Sequence, residues 1–114
     1  MRLITNDDLE LRCKRMNKYK LTGETTGFRG KILYRIIACK TFGDVHEGEL
    51  GGWIESYENL SQDGNAWVFD NAKVLGNAKV LGNAEVFDNA KVLGNAKVLG
   101  NAKVSGYAWV YANA

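Results

Sequence analysis

The sequence predicts a mainly β protein: a triangular parallel β-helix, a hexapeptide solenoid with 18 residues per coil, carrying a small N-terminal α+β cap. Three observations predict it. Alanine recurs every six residues from Ala66 to Ala114, and valine every six from Val68 to Val110. The seventeen residues VFDNAKVLGNAKVLGNA beginning at Val68 are spelled again from Val86. Residues 68–85 match residues 86–103 everywhere except at Glu85 against Lys103.

The period decides between helix and strand. At about 100° per residue, six residues advance a helix by about 600°, so the valines would point three ways and form no stripe. In an extended strand, residues two apart share a face. A-K-V-L is therefore a short strand with Ala and Val inward and Lys and Leu outward. G-N is the corner, because Gly, and Asn more than most residues, accepts a positive φ. Three hexads make one coil, so position n lies beneath n+18: Phe69 above Phe87, Lys73 above Lys91, Leu75 above Leu93. Counting back in sixes, Leu60 falls before Ala66 and Ile54 before Leu60. The solenoid then occupies residues 51–114 in about three and a half coils, roughly 15 Å tall at ~4.8 Å per stacked strand.

Residues 1–50 read as the cap. TNDDLELRCKRM offers Thr5 as N-cap with Asp8 three residues on, a capping-box pattern. Leu9, Cys13 and Met16 share one helical face. NKYKLT and KILYRIIACKTF read as strands joined by a polar loop, GETTGFRG, in a hairpin. GDVHEGELGG is a glycine-rich bend feeding the first coil. Such a cap shields the top rung from unwanted strand pairing.

Composition excludes more than it assigns. The chain has 114 residues and a net charge of +2, room for one domain. Residues 1–65 balance ten basic against ten acidic side chains, and residues 66–114 carry five Lys and three acids. That is far from a nucleic-acid footprint. Cys13 and Cys39 form no C-x-x-C pair, so a reduced, cytoplasmic protein is expected. No apolar run approaches the ~20 residues of a membrane span, and the acids of MRLITNDDLELRCKR stand where a secretory signal is apolar.

The outward positions supply the candidate sites. One face shows Trp67 and Phe69 above Glu85 and Phe87, then Lys103 and Ser105. A second shows Lys73 and Leu75 above Lys91 and Leu93, then Trp109 and Tyr111. The third shows Lys79 and Leu81 above Lys97 and Leu99. Outward columns of Phe69, Leu75, Leu81, Phe87, Leu93 and Leu99 are expected to meet another copy, since contiguous exposed apolar patches mark interfaces. Stacked Lys73/Lys91 and Lys79/Lys97 would repel at about 5 Å. An intervening anion would relieve them, with Trp67, Trp109 or Tyr111 available for stacking; edge defence against strand addition is the competing use of outward lysine. The last rung, SGYAWVYANA, has no closing element, which predicts end-to-end packing through the C-terminal coil or a partner seated on Trp109 and Tyr111.

An aliphatic residue followed four positions later by a small one, at six-residue spacing over residues 54–114, resembles the hexapeptide-repeat, left-handed β-helix superfamily. The run GDVHEGELGGWIES followed by ENLSQDGNAWVFDNAKV is similar, more narrowly, to uncharacterised transferase-like β-solenoid proteins of enterobacteria and prophages. Left-handedness comes from this resemblance alone, since β-crossovers generally take the other hand. The resemblance implies trimers with acyl-CoA or sugar-nucleotide ligands in intersubunit grooves, and acyltransferases that use a histidine beside the groove. The superfamily's zinc-dependent carbonic anhydrases need three histidines, and only His46 is present, so no metal is expected. His46 could serve as general base, or simply be a solvated bend residue.

The function expected from these features is a non-enzymatic, self-associating binding protein of phage or prophage origin. It would hold a partner or sequester an anionic, nucleotide-like small molecule in an intersubunit groove, without a cofactor. The expected partners are further copies of itself, as a trimer, and an anionic small molecule or a host protein; membrane and nucleic acid are not expected. The alternatives are a CoA-dependent acyltransferase with His46 as its catalytic residue, and a structural scaffold.

Overall fold

The computed structural model describes residues 17–112. The helix expected around Thr5–Met16 lies outside them. In chain order the elements are β1 (Tyr19–Phe28), β2 (Lys31–Ala38), β3 (Leu50–Ile54), a 3-10 turn (Tyr57–Asn59), β4 (Trp67–Val68), β5 (Lys73–Val74), β6 (Lys79–Val80), β7 (Glu85–Val86), β8 (Lys91–Gly94), β9 (Lys97–Val98), β10 (Lys103–Val104) and β11 (Trp109–Ala112).

The coils stack as parallel strands 18 residues apart. Lys73 pairs with Lys91 and Val74 with Val92; Lys79 pairs with Lys97; Glu85 pairs with Lys103. Outward residues donate their amides to the coil below where one follows, as from Lys73 to the Ala90 carbonyl at 3.0 Å and from Phe69 to the Val86 carbonyl at 2.7 Å. Three faces result: β4–β7–β10 (face A), β5–β8–β11 (face B) and β6–β9 (face C). The solenoid makes about three turns. Its interior is the predicted ladder: Ala66, Ala72, Ala78, Ala84 and Ala90 alternate with Val68, Val74, Val80, Val86 and Val92, all fully buried. Gly corners take a positive φ, as at Gly76 (68°), and two corners do so with aspartate, Asp70 (57°) and Asp88 (63°). Asp tolerates this region because its short side chain bonds locally; the Asp70 carboxylate accepts from the Asp88 amide at 3.1 Å.

The first coil departs from the counted register. Ile54 pairs with Val74 and Leu60 bridges to Val80, so each lies twenty residues above its partner. Leu60 thus holds a valine position, not an alanine one. The two extra residues sit in the SQDGN corner, Ser61–Asn65. Lys18 holds this corner: its buried ammonium donates to the carbonyl of Ala66 at 2.7 Å and to those of Asp63 and Gly64 at 3.4 Å. The Gln62 side chain accepts from the Lys18 amide at 2.7 Å. Buried Asn59 ties the preceding corner, between Ile54 and Leu60, to the coil below, accepting from the Glu55 and Ser56 amides and donating to the carbonyls of Gly76 and Ala78.

The hairpin is longer than expected. β1 runs through the predicted loop to Phe28, with an irregularity between Leu21 and Thr25, and the turn is only Arg29–Gly30, both at positive φ (54° and 77°). That is the two-residue hairpin geometry matched to strand twist; TTGF is rich enough in β-formers to extend the strand. β2 pairs antiparallel with β3, and β3 pairs parallel with β5, so hairpin and face B form one sheet in the order β1-β2-β3-β5-β8-β11. Gly51 and Gly52 permit the close approach at this junction. A Cβ on Gly51 would stand 2.6 Å from the Val68 carbonyl oxygen and 2.7 Å from the Trp67 ring, and one on Gly52 2.6 Å from the Ala72 oxygen. Cys39 follows β2 directly, and its amide donates to the Lys18 carbonyl at 2.7 Å. Among the described residues, no helix is long and apolar enough to cross a membrane.

Candidate functional site

The residues singled out as outward-facing separate into three environments. On face A, Trp67 is fully buried, which corrects its expected place in a ligand site. The N-terminal segment folds over it, with Phe42 edge-on at 5.3 Å and Tyr19 at 6.1 Å. Phe69 and Phe87 are half-buried and stand edge to face at 6.3 Å. With Asp44, Asp70 and Glu85 they line an open cleft of about 230 Å³. Glu85 is already paired with Lys103 at 3.1 Å. Asp44 reaches the cleft from the 43–49 bend, which also carries His46. His46 is exposed, and its amide donates to the Glu49 carboxylate at 3.0 Å.

On face B the outward leucines are covered from within the chain. Leu75 and Leu93 are each only 4% exposed and pack with Leu33, Trp53 and Phe28. Their expected role at a subunit interface is therefore corrected: the hairpin tip occupies that surface. Below this cluster Trp109 and Tyr111 remain about half exposed. Phe28 meets Trp109 edge-on at 5.9 Å. The Arg29 guanidinium lies 5.3 Å from the Trp109 ring centre, and the Lys91 ammonium lies 5.8 Å from it and 5.4 Å from Phe28. Lys73 sits one rung above Lys91. Partial burial, then the neighbouring Lys91 charge, pushes the Lys73 pKa down.

Face C holds Lys79, Leu81, Lys97 and Leu99. Leu99 is 54% exposed and Leu81 half-buried. The structure thus brings Lys73, Lys91 and Trp109 together, and leaves Lys79 and Lys97 on a different face from every expected stacking residue. It adds Phe28 and Arg29, which the sequence had placed in a polar loop; the R-G dipeptide between strand-forming runs was the available signal of a tight turn. Among the described residues, no group of three or more His, Cys, Asp or Glu could hold a metal ion.

No family profile matches the chain. Over 63 residues it is 38% identical to the uncharacterised acetyltransferase YdcK of Escherichia coli (strain K12), a match covering 48% of this chain and 19% of that relative. Together with coils stacked at 18 residues, this upholds the resemblance drawn from the six-residue period. The chain folds as a β-solenoid of six-residue repeats. The chain spans about a fifth of the length of the curated relative it matches. That relative is named for acetyl transfer, which overturns the expectation of a non-enzymatic sequestering protein and favours the acyltransferase alternative; nothing in the comparison points to phage origin.

Proposed function

We propose that the protein is an acyltransferase of the hexapeptide-repeat class, moving an acetyl group from a coenzyme A thioester to an acceptor. One observation carries this reading: the 38% identity over 63 residues to an acetyltransferase, in a chain that stacks hexapeptide coils. His46 is the candidate general base. It stands exposed on a bend anchored by Glu49, and the same bend sends Asp44 into the face A cleft. In the proposed step, His46 takes the proton of an acceptor N–H or O–H as the heteroatom attacks the thioester carbonyl. The carbon–sulfur bond then breaks, and the leaving thiolate takes up the proton. Self-association belongs to the same proposal: face C, with Leu99 exposed and Leu81 half-buried, is where a second copy would close a groove.

The test is thiol release from acetyl-CoA by the purified protein over a panel of amine and alcohol acceptors. Acceptor-dependent release is expected, falling by about 10²-fold or more in His46→Ala with an unchanged circular dichroism spectrum. Release no faster than the uncatalysed reaction, or an equal rate in His46→Ala, would remove the reading or its base.

A further inference from the structure

We infer that face A of one copy docks against face C of a second, in a head-to-tail contact where phenylalanines and aspartates meet leucines and lysines. Two columns of unpaired charge carry this. Asp70 and Asp88 stack at one edge of face A, and Asp44 joins Asp70 in lining the cleft. Lys79 and Lys97 are register partners on face C. Among the described residues, no ion pair reaches any of these five, whereas Lys103, Lys31 and Arg35 find Glu85, Glu55 and Glu24. Like charges one rung apart repel. The two columns have opposite sign but lie on different faces of the same coils, where one chain cannot bring them together. A second copy can.

The order of residues makes the match specific. On face A the hexads of Val68 and Val86 read VFDN, an apolar residue before an acid, where faces B and C read VLGN. On face C lysine comes two residues before leucine, Lys79 before Leu81 and Lys97 before Leu99. Every coil winds in the same sense, so the facing strands of two solenoids standing side by side with parallel axes run in opposite directions. Face C then offers leucine before lysine to a face that offers phenylalanine before aspartate. Both columns step by one coil, about 4.8 Å. A single placement therefore sets Leu81 and Leu99 against Phe69 and Phe87, and Lys79 and Lys97 against Asp70 and Asp88. Each aspartate uses Oδ2 to accept a corner amide, from Asp88 at 3.1 Å and from Gly106 at 2.9 Å, and keeps Oδ1 for an ammonium. Face B takes no part, because the hairpin already covers its leucines. Two unlike faces joined in this way continue past a dimer to a ring.

The inference rests on the self-association proposed above and names the surface that meets face C. Assembly is read without turnover, so it can fail while acyl transfer stands, and the reverse. Native mass spectrometry and light scattering of the full chain should show three or more copies, with an apparent Kd that rises at least about tenfold from low to high salt. Asp70→Asn/Asp88→Asn removes both charges while keeping an acceptor for the corner amides and a side chain that tolerates positive φ. Lys79→Gln/Lys97→Gln removes the opposite column. Each variant should weaken assembly by at least about tenfold with an unchanged circular dichroism spectrum. Phe87→Cys and Leu99→Cys proteins, mixed under mild oxidation, should give a linked 87–99 peptide between two copies, and neither protein alone should link through its new cysteine. A chain that stays monomeric or stops at a dimer, whatever charged ligand it takes up, would overturn the inference. So would full assembly in both neutralised variants, or Leu99→Cys linking to itself in place of Phe87→Cys.

Discussion

Replacing Lys18 with methionine isolates how the top of the solenoid is closed. Lys18 is 1% exposed, donates to three corner carbonyls and lies 5.0 Å from the centre of the Phe42 ring. Burial, opposed by the nearby Asp63 carboxylate and reinforced by Lys40, lowers its pKa from 10.5 to about 8. The folded chain therefore binds this proton less tightly than the unfolded chain does. The resulting penalty is full below about pH 8 and fades as the pH climbs toward 10.5. At about 1.4 kcal/mol per pKa unit, the native protein should gain about 2–3 kcal/mol of stability between pH 7 and pH 10. With a urea slope of about 1–2 kcal/mol per molar, the midpoint should rise by about 1–3 M. Lys73, also lowered by burial, contributes a smaller change of the same sign and remains in the variant. Tyr19 is raised by burial, so it opposes the gain only above about pH 10, outside the window. Urea titrations at pH 7, 8, 9 and 10 should show the rise in the native chain and less than half of it in Lys18→Met. Equal slopes in the two proteins would refute the account of this corner.

Three further changes probe the stack. Val86→Ala empties a fully buried position at the centre of face A and should cost about 2 kcal/mol, read as a lower urea midpoint at an unchanged slope. Gly52→Ala drives a methyl to 2.6 Å from the Ala72 carbonyl oxygen; backbone cannot yield as a side chain can, so a loss of about 1–3 kcal/mol is expected, seen in thermal unfolding. Deleting residues 86–103 removes one whole coil and keeps every strand in register, so the shortened chain should still unfold cooperatively.

The sequence made the interior legible because the inward period is local. Each Ala–Val pair needs only its own strand to show which way it points. What covers the outward positions is decided by chain far away, and there the reading failed. Trp67 is outward in its strand yet vanishes beneath Tyr19 and Phe42, and Leu75 and Leu93 meet Leu33 from the hairpin rather than a second subunit. The two-residue insertion at Ser61–Asn65 was hidden because Leu60 and Ile54 happen to fall at multiples of six before Ala66. Of the candidate sites, the lysine column of face B was readable from the repeat. Its neighbours Phe28 and Arg29 were not, because they arrive on a turn about twenty residues before the first coil.

Cross-linking tests the 18-residue coil most directly. Lys79 and Lys97 are register partners on face C, and neighbouring strands, about 4.8 Å apart, lie within the range a disulfide spans. Under mild oxidation, mass spectrometry of Lys79→Cys/Lys97→Cys should show near-complete internal linkage, and Lys79→Cys/Lys91→Cys, on two different faces, should show none. A linked 79–91 pair, or an unlinked 79–97 pair, would contradict the stacking on which the whole account rests.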